Sequence, residues 1–264
     1  MRLAEASGDL GGAVALYRRL VRTYPDLMPG ERSLAHLERL FTARGERGLE
    51  AHLAWTHAIY PDLAHTPLGD NLVFFAARAA HARYLASGSR AAADLAEALY
   101  RRLDRDHPTG GLWNDAWWER SLLYAAQGRH DDEIAAIRRL QRTYERLSLF
   151  GHDDHPYFAQ GQLRIARLEL LALGRPRDAA QSYATYADRF PLSRHRDDAL
   201  FWAGCAALAA GDPAAASAHF AALERDHPES KYLRRLDDAR RDPRGGPCVP
   251  PEVVAVPAPP EEAP

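Results

Sequence analysis

Residues 197–232 read DDALFWAGCAALAAGDPAAASAHFAALERDHPESKY. Two helical periodicities meet at Gly211-Asp212-Pro213, and the second closes at Pro228. In the first, Leu200, Ala203, Gly204, Ala207 and Leu208 recur at helical spacing; in the second, Ala216, Phe220 and Leu223 do the same. Small residues (Gly204, Ala207, Ala216) stand where two helices must approach closely, and large ones fill the space beside them. The stretch is a helix-turn-helix unit with one apolar side that it cannot bury alone.

Numbering the unit so that Pro228 falls at position 32 puts Gly204 at 8, Gly211 at 15, Ala216 at 20 and Phe220 at 24. This order of small, turn, small, aromatic and proline residues resembles the tetratricopeptide repeat. Leu200, Ala203, Ala207 and Leu223 replace the family's Trp, first Leu, Tyr and second Ala with apolar residues. The resemblance implies an all-α, right-handed superhelix of about five to six helical hairpins. It names an architecture, and one architecture serves many tasks.

Working outward, Gly8-Asp9-Leu10-Gly11-Gly12 precedes a helix over Ala13–Leu20 that ends at Tyr24-Pro25. Its first-helix partner is mostly missing, so the first repeat is incomplete. An exposed repeat face is a solubility liability, and the expectation is that the natural start lies upstream of Met1. Further pairs are expected at 31–44 with 47–60, at 71–85 with 91–106, at 114–127 with 130–147, and over 158–189. Pro61–Leu68 reads as a linker, and RLSLFGHDDHPYF after Glu145 as an insertion. Arg18–Tyr24 (RRLVRTY) returns as Arg138–Tyr144 (RRLQRTY), an internal echo independent of any family pattern. The closing positions Pro25, Pro61, Pro108, Glu145, Pro191 and Pro228 are separated by 36, 47, 37, 46 and 37 residues, close to the family period in the short intervals. Residues 1–240 are therefore read as one helical solenoid, closed by a short helix over Leu233–Arg240. Residues 241–264 are read as a disordered Pro-rich tail.

A net charge of -2 gives no electrostatic reason to expect nucleic acid or an anionic membrane. Lys231 is the only lysine, and arginine pairs recur late in second helices, at Arg18-Arg19, Arg101-Arg102 and Arg138-Arg139. Cations are favourable there in any helix, and neighbouring acids dilute them, so nucleic acid is not an expected partner. No apolar run spans a bilayer, and the N-terminal residues carry polar groups where an export signal has an apolar core. Cys205 reads as a small buried apolar residue and Cys248 as part of the tail, with no disulfide framework between them.

Chemistry is sparse. His152-Asp153-Asp154-His155 and His130-Asp131-Asp132 carry metal-ligating side chains, but they are adjacent in sequence and acids at helix starts are ordinary caps. There is no Walker loop, GxGxxG or GxSxG. The expectation is a non-enzyme without cofactor or metal.

In the tetratricopeptide family, first helices line an inner groove, and positions 2, 5, 9 and 12 commonly face it. By position this resemblance implies Trp118, Leu122 and Ala125 in the fourth pair, Arg164, Leu168 and Leu171 in the fifth, and Phe201, Cys205 and Leu208 in the last. The same side chains serve equally for packing between repeats. Asn occurs only at Asn71 and Asn114, so the family's Lys/Asn clamp for chaperone tails has no support. An apolar surface with one arginine fits an extended or helical peptide.

The wording of the last units, with FPLS at 190–193, DDALFWAG at 197–204 and HPES at 227–230, resembles bacterial cell-envelope repeat proteins. These include the outer-membrane assembly lipoprotein, the Tol-Pal coordinator and the superhelix of soluble lytic transglycosylases. The resemblance implies a scaffold for a protein or peptide partner in an envelope assembly. The alternative is the superhelical arm of a peptidoglycan lytic enzyme without its catalytic domain. An envelope location follows if an export signal precedes Met1, and a cytoplasmic one otherwise; the oligomeric state is not legible.

Overall fold

Each turn that joins the two helices of a pair pivots on a glycine with positive φ: Gly45, Gly88, Gly128, Gly174 and Gly211. A side chain at such a φ clashes with its own backbone, so glycine is the residue that lets one helix stop and its partner double back. The computed structural model describes residues 9–147, 156–241 and 248, and among these it is all-helical. The helices are α1 (Leu10–Thr23), α2 (Met28–Thr42), α3 (Gly45–Leu63), α4 (Leu68–Ser87), α5 (Arg90–Asp106) and α6 (Trp113–Ala126). They continue as α7 (His130–Leu147), α8 (Pro156–Arg167), α9 (Pro176–Arg189), α10 (Arg196–Ala209), α11 (Pro213–Asp226) and α12 (Leu236–Arg241). Five hairpins result: α2/α3, α4/α5, α6/α7, α8/α9 and α10/α11. Second helices begin on side-chain caps where the sequence supplies them: Ser89 accepts from Ala92 N and Asp212 accepts from Ala215 N.

The chain forms two compact units, Met1–Ala136 and Ile137–Pro264. In the first, α4 packs against α2, α3, α5 and α6, so consecutive first helices touch as well as the two helices of each pair. Its core runs through Tyr17, Leu34, Leu37, Ile59, Leu72, Ala77, Ala96, Tyr100 and Leu123. In the second, α10 is sandwiched by α9 and α11, around Tyr183, Tyr186, Phe201, Ala203, Phe220 and Leu223. Alanine and a following aromatic recur in the second helices, as Ala13/Tyr17, Ala96/Tyr100, Ala179/Tyr183 and Ala216/Phe220, all buried. Glu133 stands at the alanine position of α7, where it is fully buried with His130 Nδ1 3.3 Å away.

Three expectations are corrected. The linker expected at Pro61–Leu68 is shorter than read: α3 runs through Pro61 to Leu63, and α4 begins at Leu68. Pro61 lies in the last turn, where its missing N–H removes one hydrogen bond of the ladder, and burial of Ile59 and Leu63 holds that turn in helix. The closing helix divides into a 3-10 turn, Leu233–Arg235, and α12. Cys205 and Cys248 form a disulfide, Cα to Cα 5.3 Å, and Cys248 is buried against the core of the second unit. A sequence separation of 43 carries no pairing signal; only the folded chain brings the two together. Arg241, the first residue of the stretch read as a disordered tail, ends α12; the rest of that stretch apart from Cys248, and the His152–His155 cluster, lie outside the described residues.

Two stability outcomes follow. A Cβ on Gly204 runs into the ring of Phe220, which is fully buried. Gly204→Ala should lower the unfolding free energy by about 1–3 kcal/mol in urea melts, whereas Gly111→Ala, with open space around it, should change it by less than about 0.5 kcal/mol. Reduction with dithiothreitol, or Cys248→Ser, should cost about 2–4 kcal/mol, read as a lower thermal midpoint.

Candidate functional site

Because α4 lies between α2 and α6, charged residues on these three first helices meet. Arg78 on α4 places Nε 3.1 Å from Glu38 Oε1 on α2 and 3.9 Å from Glu119 Oε1 on α6. His81, one turn further along α4, has Nδ1 3.8 Å from Glu119 Oε2. Glu38 and Glu119 are withdrawn, with side chains 12% and 16% exposed, whereas Arg78 is 40% exposed and marks the surface of the cluster. From α5, Tyr100 is buried, and its hydroxyl has no hydrogen-bond partner.

Burial dominates the electrostatics. It pushes the Glu38 carboxyl up to about 7, against the pull of Arg78 and with the push of Glu119; Arg39 pulls weakly downward. The ion-pair distance to Arg78 favours an ionised Glu38, but desolvation outweighs it. Burial likewise raises Glu119, opposed by Arg78 and helped by Asp115. It lowers His81 to about 4, assisted by Arg78, so His81 is neutral at pH 7. One guanidinium thus serves two carboxylates, and the cluster is short of positive charge.

Two other features of the first unit have plainer roles. Glu97 accepts from Arg129 Nη1 at 2.8 Å and from Tyr124 Oη at 2.9 Å; burial pushes its carboxyl up, but these hydrogen bonds hold it below the ordinary value. It ties α5 to α6 and to the turn that follows. A cleft of about 190 Å³ is lined by Leu53, Tyr60, Val73, Leu95, Leu99 and Arg102. Arg102 closes its rim, stacked 4.0 Å from the Tyr60 ring centroid and paired with Asp106 at 3.1 Å.

The residues expected from family positions divide by exposure. Trp118 is 2% exposed, Leu168 1% and Phe201 0%. Phe201 stacks on Tyr232, centroids 4.2 Å apart and planes 14° apart, and Cys205 is taken up by its disulfide. Neighbouring side chains cover these residues. Leu122, Arg164 and Leu208 are half-buried, and Leu171 is 36% exposed. Leu168 opens a π turn, Leu168–Ala172, closed by Leu173 N to Leu168 O at 3.0 Å. The turn carries buried Glu169, which accepts from Arg138 at 2.7 Å and from Ser182 Oγ at 2.6 Å.

The arginine pairs also find partners inside their own units: Arg18 lies over Phe41 and Trp55, Arg101 pairs with Glu97, and Arg138 pairs with Glu169. Among the described residues no group of three or more His, Cys, Asp or Glu is placed to hold a metal ion, and no helix is long and apolar enough to cross a membrane. Sequence reading missed the Glu38–Arg78–Glu119 cluster, because its members lie 40 and 41 positions apart. The only available signal was that each falls on a first helix.

Residues 198–230 match the tetratricopeptide-repeat family model. Two curated relatives are the outer membrane protein assembly factor BamD of Xylella fastidiosa strains 9a5c and Temecula1, each 29% identical over 121 residues. The similarity covers 39% of this chain and 39% of each relative.

Glu38 gives a pH test. An unfolded glutamate titrates near 4.5 and native Glu38 at about 7, so its contribution to stability is full below 4.5 and is lost as the pH rises through 7. Glu38→Gln, which mimics the protonated form, should gain about 2–3 kcal/mol over the natural chain between pH 4.5 and pH 8. A flat difference would mean that Glu38 is ionised throughout.

Proposed function

We propose that the chain, whose residues 198–230 match the tetratricopeptide-repeat model, is a non-catalytic scaffold that holds a protein or peptide segment against its first-helix faces in a bacterial cell-envelope assembly. The observation that carries this reading is the coincidence of two things. The last repeat matches the tetratricopeptide model, and part of the chain is similar to an outer membrane protein assembly factor. Repeat stacking leaves first-helix residues with free surface, and an extended or helical segment can be gripped there by apolar side chains at intervals. Leu122 in the first unit, and Arg164, Leu208 and Leu171 in the second, are the proposed contacts. Trp118, Leu168 and Phe201 support them from beneath by packing.

The Cys205–Cys248 disulfide supports an oxidising compartment, of which the bacterial periplasm is one. The similarity to an outer-membrane assembly factor favours this scaffold over the alternative of a lytic enzyme's superhelical arm.

The test is binding of the purified chain to an array of overlapping peptides from outer-membrane proteins, followed by fluorescence anisotropy on the peptides retained. Leu122→Asp and Leu208→Asp should each weaken binding roughly tenfold or more, as desolvated apolar contacts do when a charge replaces them, with melting curves unchanged. Binding that survives both substitutions would remove these leucines from the site, and an array with no retained peptide would overturn the scaffold reading.

A further inference from the structure

The cluster between α2, α4 and α6 has a use beyond joining three helices. We propose that Glu38, Glu119 and the unpartnered Tyr100 hydroxyl form a receptor for one cationic side chain, a lysine or arginine, of a bound protein segment. This rests on the scaffold reading above and names the chemistry of its partner.

Four observations converge. The carboxylates come from two helices on either side of α4, each within 4 Å of the same Arg78 Nε, at 3.1 and 3.9 Å. Two acids share one guanidinium, and His81 adds no positive charge at neutral pH; Arg39, on the exposed side of α2, and Asp115, one turn before Glu119, leave the acid excess in place. Tyr100 is 1% exposed, yet its hydroxyl makes no hydrogen bond, and its charged neighbours are Glu119, Arg78 and Glu38. A buried hydroxyl with no partner is destabilising, and a donor entering between the carboxylates would supply one. The exposed Arg78 can swing outward on its long stem and open the way.

An ammonium or guanidinium offers several N–H donors to carboxylate and phenol oxygens, whereas an anion would meet the carboxylates and be repelled. The occupant is therefore cationic. Its arrival favours ionised carboxylates, so a proton held by Glu38 leaves to solvent as the cation binds. The balance is one cation bound and up to one proton released.

The experiment uses the full chain and synthetic leucine-containing decapeptides in matched sets, with lysine, arginine or glutamine at a single position. Affinities are read by anisotropy, and proton release by calorimetry at pH 7 in buffers of different ionisation enthalpy. The lysine or arginine peptides should bind roughly tenfold tighter than the glutamine peptide, with proton release. Glu38→Gln and Glu119→Gln should erase that preference, while Gly111→Ala, on an exposed turn outside both sites, should leave the preference intact. Calorimetry on the natural chain needs no variant, so a misfolded substitution does not spare the proposal. Equal binding of basic and neutral peptides, or binding without proton release, would overturn the receptor and leave the scaffold standing. No binding of any peptide up to roughly millimolar concentration would overturn the receptor, and the array experiment then decides separately on the scaffold.

Discussion

The Phe220 ring fills the space that a side chain at Gly204 would need, and this kind of exchange governs the whole chain. A helical hairpin buries its apolar side only if one helix offers a small residue where the other offers a large one. The buried pairs Ala13/Tyr17, Ala96/Tyr100 and Ala179/Tyr183 repeat the arrangement along the second helices. The hairpins themselves depend on glycines with positive φ at each internal turn. Where α7 departs from the pattern with Glu133, it requires a polar neighbour, and His130 lies beside it.

Packing of this kind sets what remains for binding. Aromatic side chains carry the largest apolar area, so they are taken first by neighbouring helices. Phe201 is held by Tyr232 and Phe220. What first helices keep on their surfaces is aliphatic or charged: Leu122, Arg164, Leu208, and the cluster around Arg78. On the scaffold reading proposed above, aliphatic contact and charge, rather than aromatic pockets, would recognise the partner.

Fold and site differ in how far they could be read. Helix pairs, their turns and the last repeat were legible, because periodicity, glycine and proline act within a few residues of chain. Pro61 misled, since a proline in a helix's last turn looks in sequence like a stop. The family positions placed nine candidate residues, three in each of three pairs, but position alone does not separate an outward-facing leucine from a packed one. Leu208 is half-buried and Phe201 fully buried, although both stand at family groove positions of one helix.

The sequence by itself determined a stack of helical hairpins and the register of its repeats, because local periodicity and small-large alternation encode those directly; the motifs of its last units also resemble those of envelope repeat proteins. Tertiary structure alone decided that Cys205 meets Cys248, that Trp118, Leu168 and Phe201 go to the core, and that Glu38, Arg78, Glu119 and Tyr100 converge. These are contacts between residues about 20 to 40 positions apart. They depend on how neighbouring helices stack, and burial, which shifts the carboxylates, exists only after stacking is complete.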